Sequence, residues 1–336
     1  MNERKGDTVL FTHAPSVLAA ASVGGKKEGD GPLCDCFDLL IRETDCGEKC
    51  WETAESIYQR HCLEILLKKA GYPLSAVDAV FSGDLQCQCT ASSYTMRGFD
   101  APHIGLYGAC STMAEGLGLA ACMVAGGIMQ RAVAMTSSHF CAAERQFRTP
   151  LDYGGKRTPS SQWTVTAAGG VMLGASLNAP FVRAVTFGRV RDYAVTDINN
   201  MGAAMAPAAA ATILQYLKDT GESPDAFDKV YTGDLGMVGS ALLKEILAQE
   251  GVALKSHDDC GLLVFDREKQ TVEAGGSGAG CSAAVLANHI LPALRRGTLG
   301  RVLFLSTGAL MSQTTFLQGE SIPCIAHLVE LSHEAR

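Results

Sequence analysis

The chain has 336 residues, 47% of them hydrophobic and 19% charged, with a formal net charge of −7. That is enough apolar material for two medium domains or one large domain with a doubled core. The acidic balance and the lack of a basic stripe exclude nucleic-acid binding as a main function. Thirteen cysteines, an odd number scattered through apolar and loop contexts, argue for a reducing compartment rather than a disulfide framework. The near pairs Cys34/Cys36, Cys46/Cys50 and Cys87/Cys89 lack zinc-ligand spacing, so no metal site is expected from them.

The opening "MNERKGDTVLFTHAPSVLAAASVGG" sets basic residues before an apolar run, but His13 and Pro15 interrupt it. It is expected to be a first strand and loop, with no cleaved leader. "ETAESIYQRHCLEILLKKAG" (52–71) is expected to be a helix capped by its final glycine. "VDAVFSGDL" (77–85) follows as a strand. "GACSTMAEGLGLAACMVAGG" (108–127) is a small-residue turn opening an apolar helix, and "RAVAMTSS" (131–138) is a strand.

The same order then returns. "APAAAATILQYLKDTG" (206–221), "FDKVYTGDL" (227–235), "GAGCSAAVLANHILPALRRG" (278–297) and "RVLFLSTG" (301–308) match the earlier segments in turn. Such self-similarity marks a duplicated unit of strands and helices. The apolar runs at 116–129 and 202–214 are shorter than the ~20 residues that span a bilayer, so no transmembrane helix is expected. The two helices that follow the small-residue turns are apolar all round and need cover on every face. The expected fold class is α/β: a duplicated five-layer α-β-α-β-α arrangement with two mixed sheets around buried central helices, divided as 1–180 and 181–336.

This plan, with a cysteine heading the first central helix, resembles the thiolase superfamily. Five strings resemble more closely the stage V sporulation protein AD family of endospore-forming bacteria. They are "GGKKEGDGPLCDCFD" (24–38), "GEKCWETAES" (47–56), "VFSGDLQCQ" (80–88), "AERQFRTPLDYGG" (143–155) and "GGSGAGCSA" (275–283). The resemblance spans essentially the whole chain. It implies a thiolase-like fold and binding of dipicolinic acid, possible as its calcium chelate, for uptake into the developing spore. It also implies integral membrane partners, a peripheral place at the inner spore membrane, and a homodimer by analogy with the superfamily. No cofactor is implied.

In the condensing enzymes of that superfamily, a cysteine at a helix start attacks acyl thioesters, aided by His with His or His with Asn. Cys110 matches the nucleophile through "GACS", and its place at a helix start predicts a lowered thiol pKa. Its helpers are missing from the expected places: Gly233 and Asp234 stand where a histidine would be, Ser277 stands near the asparagine position, and no Gly-His-Pro string occurs. The expectation is a non-catalytic binding protein; an active condensing enzyme is the alternative.

The candidate ligand residues are Cys110 and His139 at the pocket, Arg145 and Arg148 as a bidentate carboxylate clamp, and Asp234, Ser277, Thr307 and Ser312 in loops that the duplication brings together. Asp234 repels a bare dicarboxylate, yet is expected to help ligate Ca²⁺ if the chelate is what binds. Plainer roles compete: a packed structural histidine at 139, a surface ion-pair network in "ERQFR", and a small buried apolar residue at Cys110. His257, in "LKSHDDC", is expected in a solvated loop.

Overall fold

The computed structural model describes residues 2–147, 156–178 and 180–335. The small and β-branched residues of "SVLAAASVG" form β1 (Ser16–Gly24). The first half continues with β2 (Ala79–Gly83), β3 (His103–Gly105), β4 (Arg131–Ser138) and β5 (Ala167–Gly174). The second half supplies β6 (Phe181–Thr186), β7 (Lys229–Thr232), β8 (His257–Asp259), β9 (Arg301–Ala309) and β10 (Cys324–Ser332).

The strand orders repeat. The first half runs β3-β2-β4-β5-β1 and the second β8-β7-β9-β10-β6. In each, the first three strands are parallel and the last two antiparallel to their neighbours. The two sheets meet at a single residue pair, Ser16 with Phe181. One detail crosses the expected boundary at 180: the opening residues form a hairpin, Glu3–Lys5 with Thr8–Leu10, and its second arm pairs with β6.

Among the described residues, the helices of seven residues or more complete the layers: α1 (Trp51–Ala70), α2 (Thr90–Met96), α3 (Thr112–Ala125), α4 (Phe140–Phe147), α5 (Met201–Thr220), α6 (Gly236–Gln249) and α7 (Ala279–Val285). Helices α1 and α5 both end on a left-handed glycine with φ of 72°, Gly71 and Gly221, whose amides return to Leu67 and Leu217. Beyond α7 the helix widens into a π turn at Leu286–Ile290 before the turn Leu291–Arg295. Pro292 lies just there and has no N–H to continue the α pattern.

Three apolar clusters follow the layering. One joins α1 to the outer face of the first sheet, through Tyr58, Leu63, Leu66, Val133 and Met172. A second joins α5 to the outer face of the second sheet, through Met205, Ile213, Leu303 and Leu328. The third fills the space between the sheets with Met113, Leu117, Val285 and Leu294 against Phe81, Val171, Phe304 and Val329. Helix α3 packs on β2 and β4 and also on β9 and β10, so both of its faces are covered. Helix α7 lies close on the first sheet: a Cβ on Gly169 would sit 2.3 Å from the Ala283 carbonyl, and one on Gly280 2.3 Å from the Ala167 oxygen. Only glycine permits that approach.

Candidate functional site

Cys110 lies in a tight turn, Ala109–Ser111, that leads into α3. Ala109 has a φ of 53°, a left-handed conformation that costs an L-residue about 1 kcal/mol. Local hydroxyls hold it there: Ser111 donates to the Gly108 carbonyl at 2.6 Å and Thr112 to the Ala109 carbonyl at 2.7 Å. From the other half, Gly308 of β9 packs so closely that a Cβ would stand 2.3 Å from the Gly108 oxygen. The turn is a strained element clamped from two sides, the kind of feature that collects at functional sites.

Asp234 meets this turn from the loop after β7. It is fully buried. One carboxylate oxygen accepts the Ser277 hydroxyl at 3.0 Å and the Gly278 amide at 2.9 Å; the other accepts the Thr307 hydroxyl at 3.0 Å. The Cys110 thiol lies within electrostatic reach of this carboxylate. Burial raises the Asp234 pKa, while its hydrogen-bond donors pull it back. Gln162 holds the backbone in place, donating to the Asp234 carbonyl at 2.7 Å and to the Gly276 carbonyl at 2.9 Å.

The thiol of Cys110 is pushed well above its ordinary value, by burial first and then by the neighbouring Asp234. This reverses the lowered pKa expected from its place at a helix start. The partial charge of a helix terminus is outweighed by desolvation plus a facing carboxylate. Asp259, at the end of β8, sits beside the same loop and accepts Thr232 at 2.6 Å, the Leu235 amide at 2.8 Å and the Gly236 amide at 3.0 Å. Burial raises it to about 7.

The structure thus brings together Cys110, Asp234, Ser277 and Thr307, four of the eight expected residues, and places His139, Arg145 and Ser312 elsewhere. His139 is buried on the opposite side of its strand end, stacked on Trp51 at 5.6 Å. Its Nε2 lies 2.9 Å from the Thr44 carbonyl and its Nδ1 accepts the Cys141 amide at 3.2 Å. Both nitrogens are satisfied, and the histidine is structural. Arg145 forms an ion pair with Glu52 at the start of α1 and is not aimed at Cys110 or Asp234. Arg148 lies outside the described residues. Ser312 is exposed and closes a capping box with Thr315 on the turn Gln313–Leu317. His257 is not in a solvated loop; it sits in β8 with its Nε2 2.9 Å from the Thr232 hydroxyl.

Gln162 and Asp259 are the residues that sequence reasoning missed. Gln162 lies in a stretch without a counterpart in the repeat. Asp259 becomes visible only when β8 is aligned with β3 as the edge strand of its sheet. Gln162, Thr164 and Ser277, with Phe147, Ile198, Asn199 and Met201, line a cavity of about 20 Å³, room for about one water. Among the described residues, no group of three or more His, Cys, Asp or Glu side chains is arranged to hold a metal ion.

Comparison with known proteins agrees with the architecture. The crystal structure of 3-oxoacyl-[acyl-carrier-protein] synthase III from Aquifex aeolicus VF5 superimposes with a TM-score of 0.59 at 12% identity, covering 95% of this chain and 99% of that one. An OleA variant from Xanthomonas campestris gives 0.58 at 13% identity, covering 96% and 99%. At such identities the likeness shows a thiolase-like fold, the one expected. The family model described as stage V sporulation protein AD matches residues 5–332. The stage V sporulation protein AD of Bacillus subtilis (strain 168) is 42% identical over 321 residues, covering 95% of each chain. The chain belongs to the stage V sporulation protein AD family.

Proposed function

We propose that this sporulation protein is a non-catalytic binder of dipicolinic acid, free or as its calcium chelate, that serves uptake of the ligand into the developing spore. The observation that carries the reading is the group facing Cys110. Condensing chemistry needs a thiolate and a proton-accepting or oxyanion-stabilising imidazole. Here the thiol is kept protonated by burial and by a buried aspartate, and that aspartate is committed to Ser277, Gly278 and Thr307. The family relationship favours a carrier role over turnover.

A ligand carboxylate would meet the Ser277 hydroxyl and the backbone amides at the head of α3. The cavity of about 20 Å³ is too small for a pyridine dicarboxylate. Binding therefore requires Phe147, Ile198 and Met201 at its rim to move apart. No described helix is long and apolar enough to cross a membrane, so the reading includes integral membrane partners at the spore inner membrane, and a homodimer as the soluble unit.

Calorimetric titration of dipicolinate, with and without Ca²⁺, tests the proposal on wild type and Cys110→Ala. Saturable heat supports it; no heat in either condition overturns it. The fold favours a second reading, an active condensing enzyme. Acyl-thioester turnover that disappears in Cys110→Ala would establish that reading instead.

A further inference from the structure

Among the described residues, no cation faces the buried carboxylates of the site. Asp234 lies beneath Cys110, and Asp259 stands on the other side of the same loop, both fully buried to within 1%. Among the described residues, every titratable group whose charge acts on or is acted on by Asp234 is an acid or a thiol: Cys110 in the turn before α3, Asp259 in β8, Cys260 in the turn that follows, Cys281 in α7 and Cys324 in β10. The remaining contacts are Ser277, Gly278 and Thr307. Among the described residues the two arginines nearest in sequence to the cavity lining are engaged elsewhere: Arg145 with Glu52, and Arg157 with Glu144 and the Gln162 carbonyl.

A dicarboxylate seated against Cys110 and Ser277 would add two more negative charges to this enclosure. Burial magnifies such repulsion, and the enclosed group yields by taking a proton. Asp234 is placed to do so. Its oxygens already have neutral hydroxyl neighbours, Ser277 and Thr307, and either hydroxyl can turn to accept the new O–H.

We propose that Asp234 determines the charge state in which the site accepts its ligand, taking up one proton as a dicarboxylate binds. This rests on the dipicolinate-binding reading above. The proton comes from solvent and ends on an Asp234 carboxylate oxygen; no covalent bond to the ligand forms or breaks. Because the ligand raises the aspartate's proton affinity, binding weakens as pH rises through the range in which the proton is taken up, by up to about tenfold per pH unit for one linked proton.

The test is calorimetry of dipicolinate in EDTA at half-unit steps from pH 6 to 9, in buffers of different ionisation heat such as phosphate and Tris, which reveal the protons taken up. Wild type is expected to take up a proton on binding within that range, and its affinity to fall there by up to about tenfold per pH unit. Asp234→Asn, which keeps the side chain's shape and cannot titrate, is expected to take up none and to bind evenly across that range. Measurable binding with no proton uptake in wild type overturns the proposal and leaves the binding reading standing. Uptake unchanged in Asp234→Asn also overturns it, by assigning the proton elsewhere. No heat at any pH removes the binding reading and this linkage with it. The wild-type proton count stands even if the variant does not fold.

Discussion

Both halves of the molecule end a parallel strand in Gly-Asp-Leu, yet the two aspartates go to different work. Asp84 of the first half caps its own loop, accepting the Gln86 amide at 2.8 Å and the Ser92 amide and hydroxyl at 2.8 and 2.7 Å. In the second half Asp259 of the edge strand caps the equivalent loop through Leu235 and Gly236. That leaves Asp234 to cross to Ser277, Thr307 and Cys110. The outer helices differ in step. In the first half α1 sends Glu55 and Gln59 inward, where Ser137 donates to Glu55 at 2.6 Å and Gln59 donates to Ser137 at 2.8 Å. The corresponding helix α5 presents alanines, "APAAAA". The first half carries a buried polar network where the second carries small apolar side chains.

Removing the cap in the first half should have the largest effect. Asp84→Ala orphans two buried amides and a hydroxyl, and should destabilise by about 2–3 kcal/mol, seen as a lowered urea midpoint. Asp259→Ala should cost a similar amount. If either is silent, the assignment of these two residues as equivalent caps is wrong.

The next effect is on pH dependence. Burial lifts Glu55 to about 8, and Glu28 and Asp259 to about 7, from ordinary values of 4.5, 4.5 and 3.8. Folding therefore takes up protons. The stabilisation is complete below the ordinary carboxyl range and is lost as pH rises through 7 to 8, at up to about 1.4 kcal/mol per pH unit for each group. Melting temperatures between pH 5 and 8.5 should fall toward the alkaline end. Glu55→Gln should flatten the upper part of that fall.

A smaller stability change, under about 1 kcal/mol, is expected for Asp234→Asn, but the chemistry of its neighbour should respond. Losing the facing carboxylate lowers the Cys110 pKa, so iodoacetamide labelling of that peptide, followed by mass spectrometry, should quicken. Unchanged labelling would mean that burial alone holds the thiol protonated. The smallest effect belongs to Arg145→Ala. A part-exposed pair with Glu52 is worth about 0.5 kcal/mol, and dipicolinate affinity should not change.

The duplication is legible because its markers are local. Gly71 and Gly221 cap matching helices, and Ser82–His103 and Thr232–His257 repeat the same 2.9 Å contact between neighbouring parallel strands. The site is half legible. Cys110, Asp234, Ser277 and Thr307 lie at the ends of repeated elements, so the repeat places them. His139 lies just past a strand end and Arg145 in the last turn of α4, yet their neighbours turn them toward Thr44 and Glu52, and sequence periodicity holds no information about that choice.

What the sequence by itself determined is the layered, doubled α/β fold, the buried helix behind Cys110, and the absence of a histidine where the repeat puts Asp234. These depend on apolar periodicity and on glycine, which act over a few residues. Only the tertiary structure decided the state of the thiol. Its pKa is set by a carboxylate more than a hundred residues away and by the depth of burial, and both depend on how the two sheets close around α3.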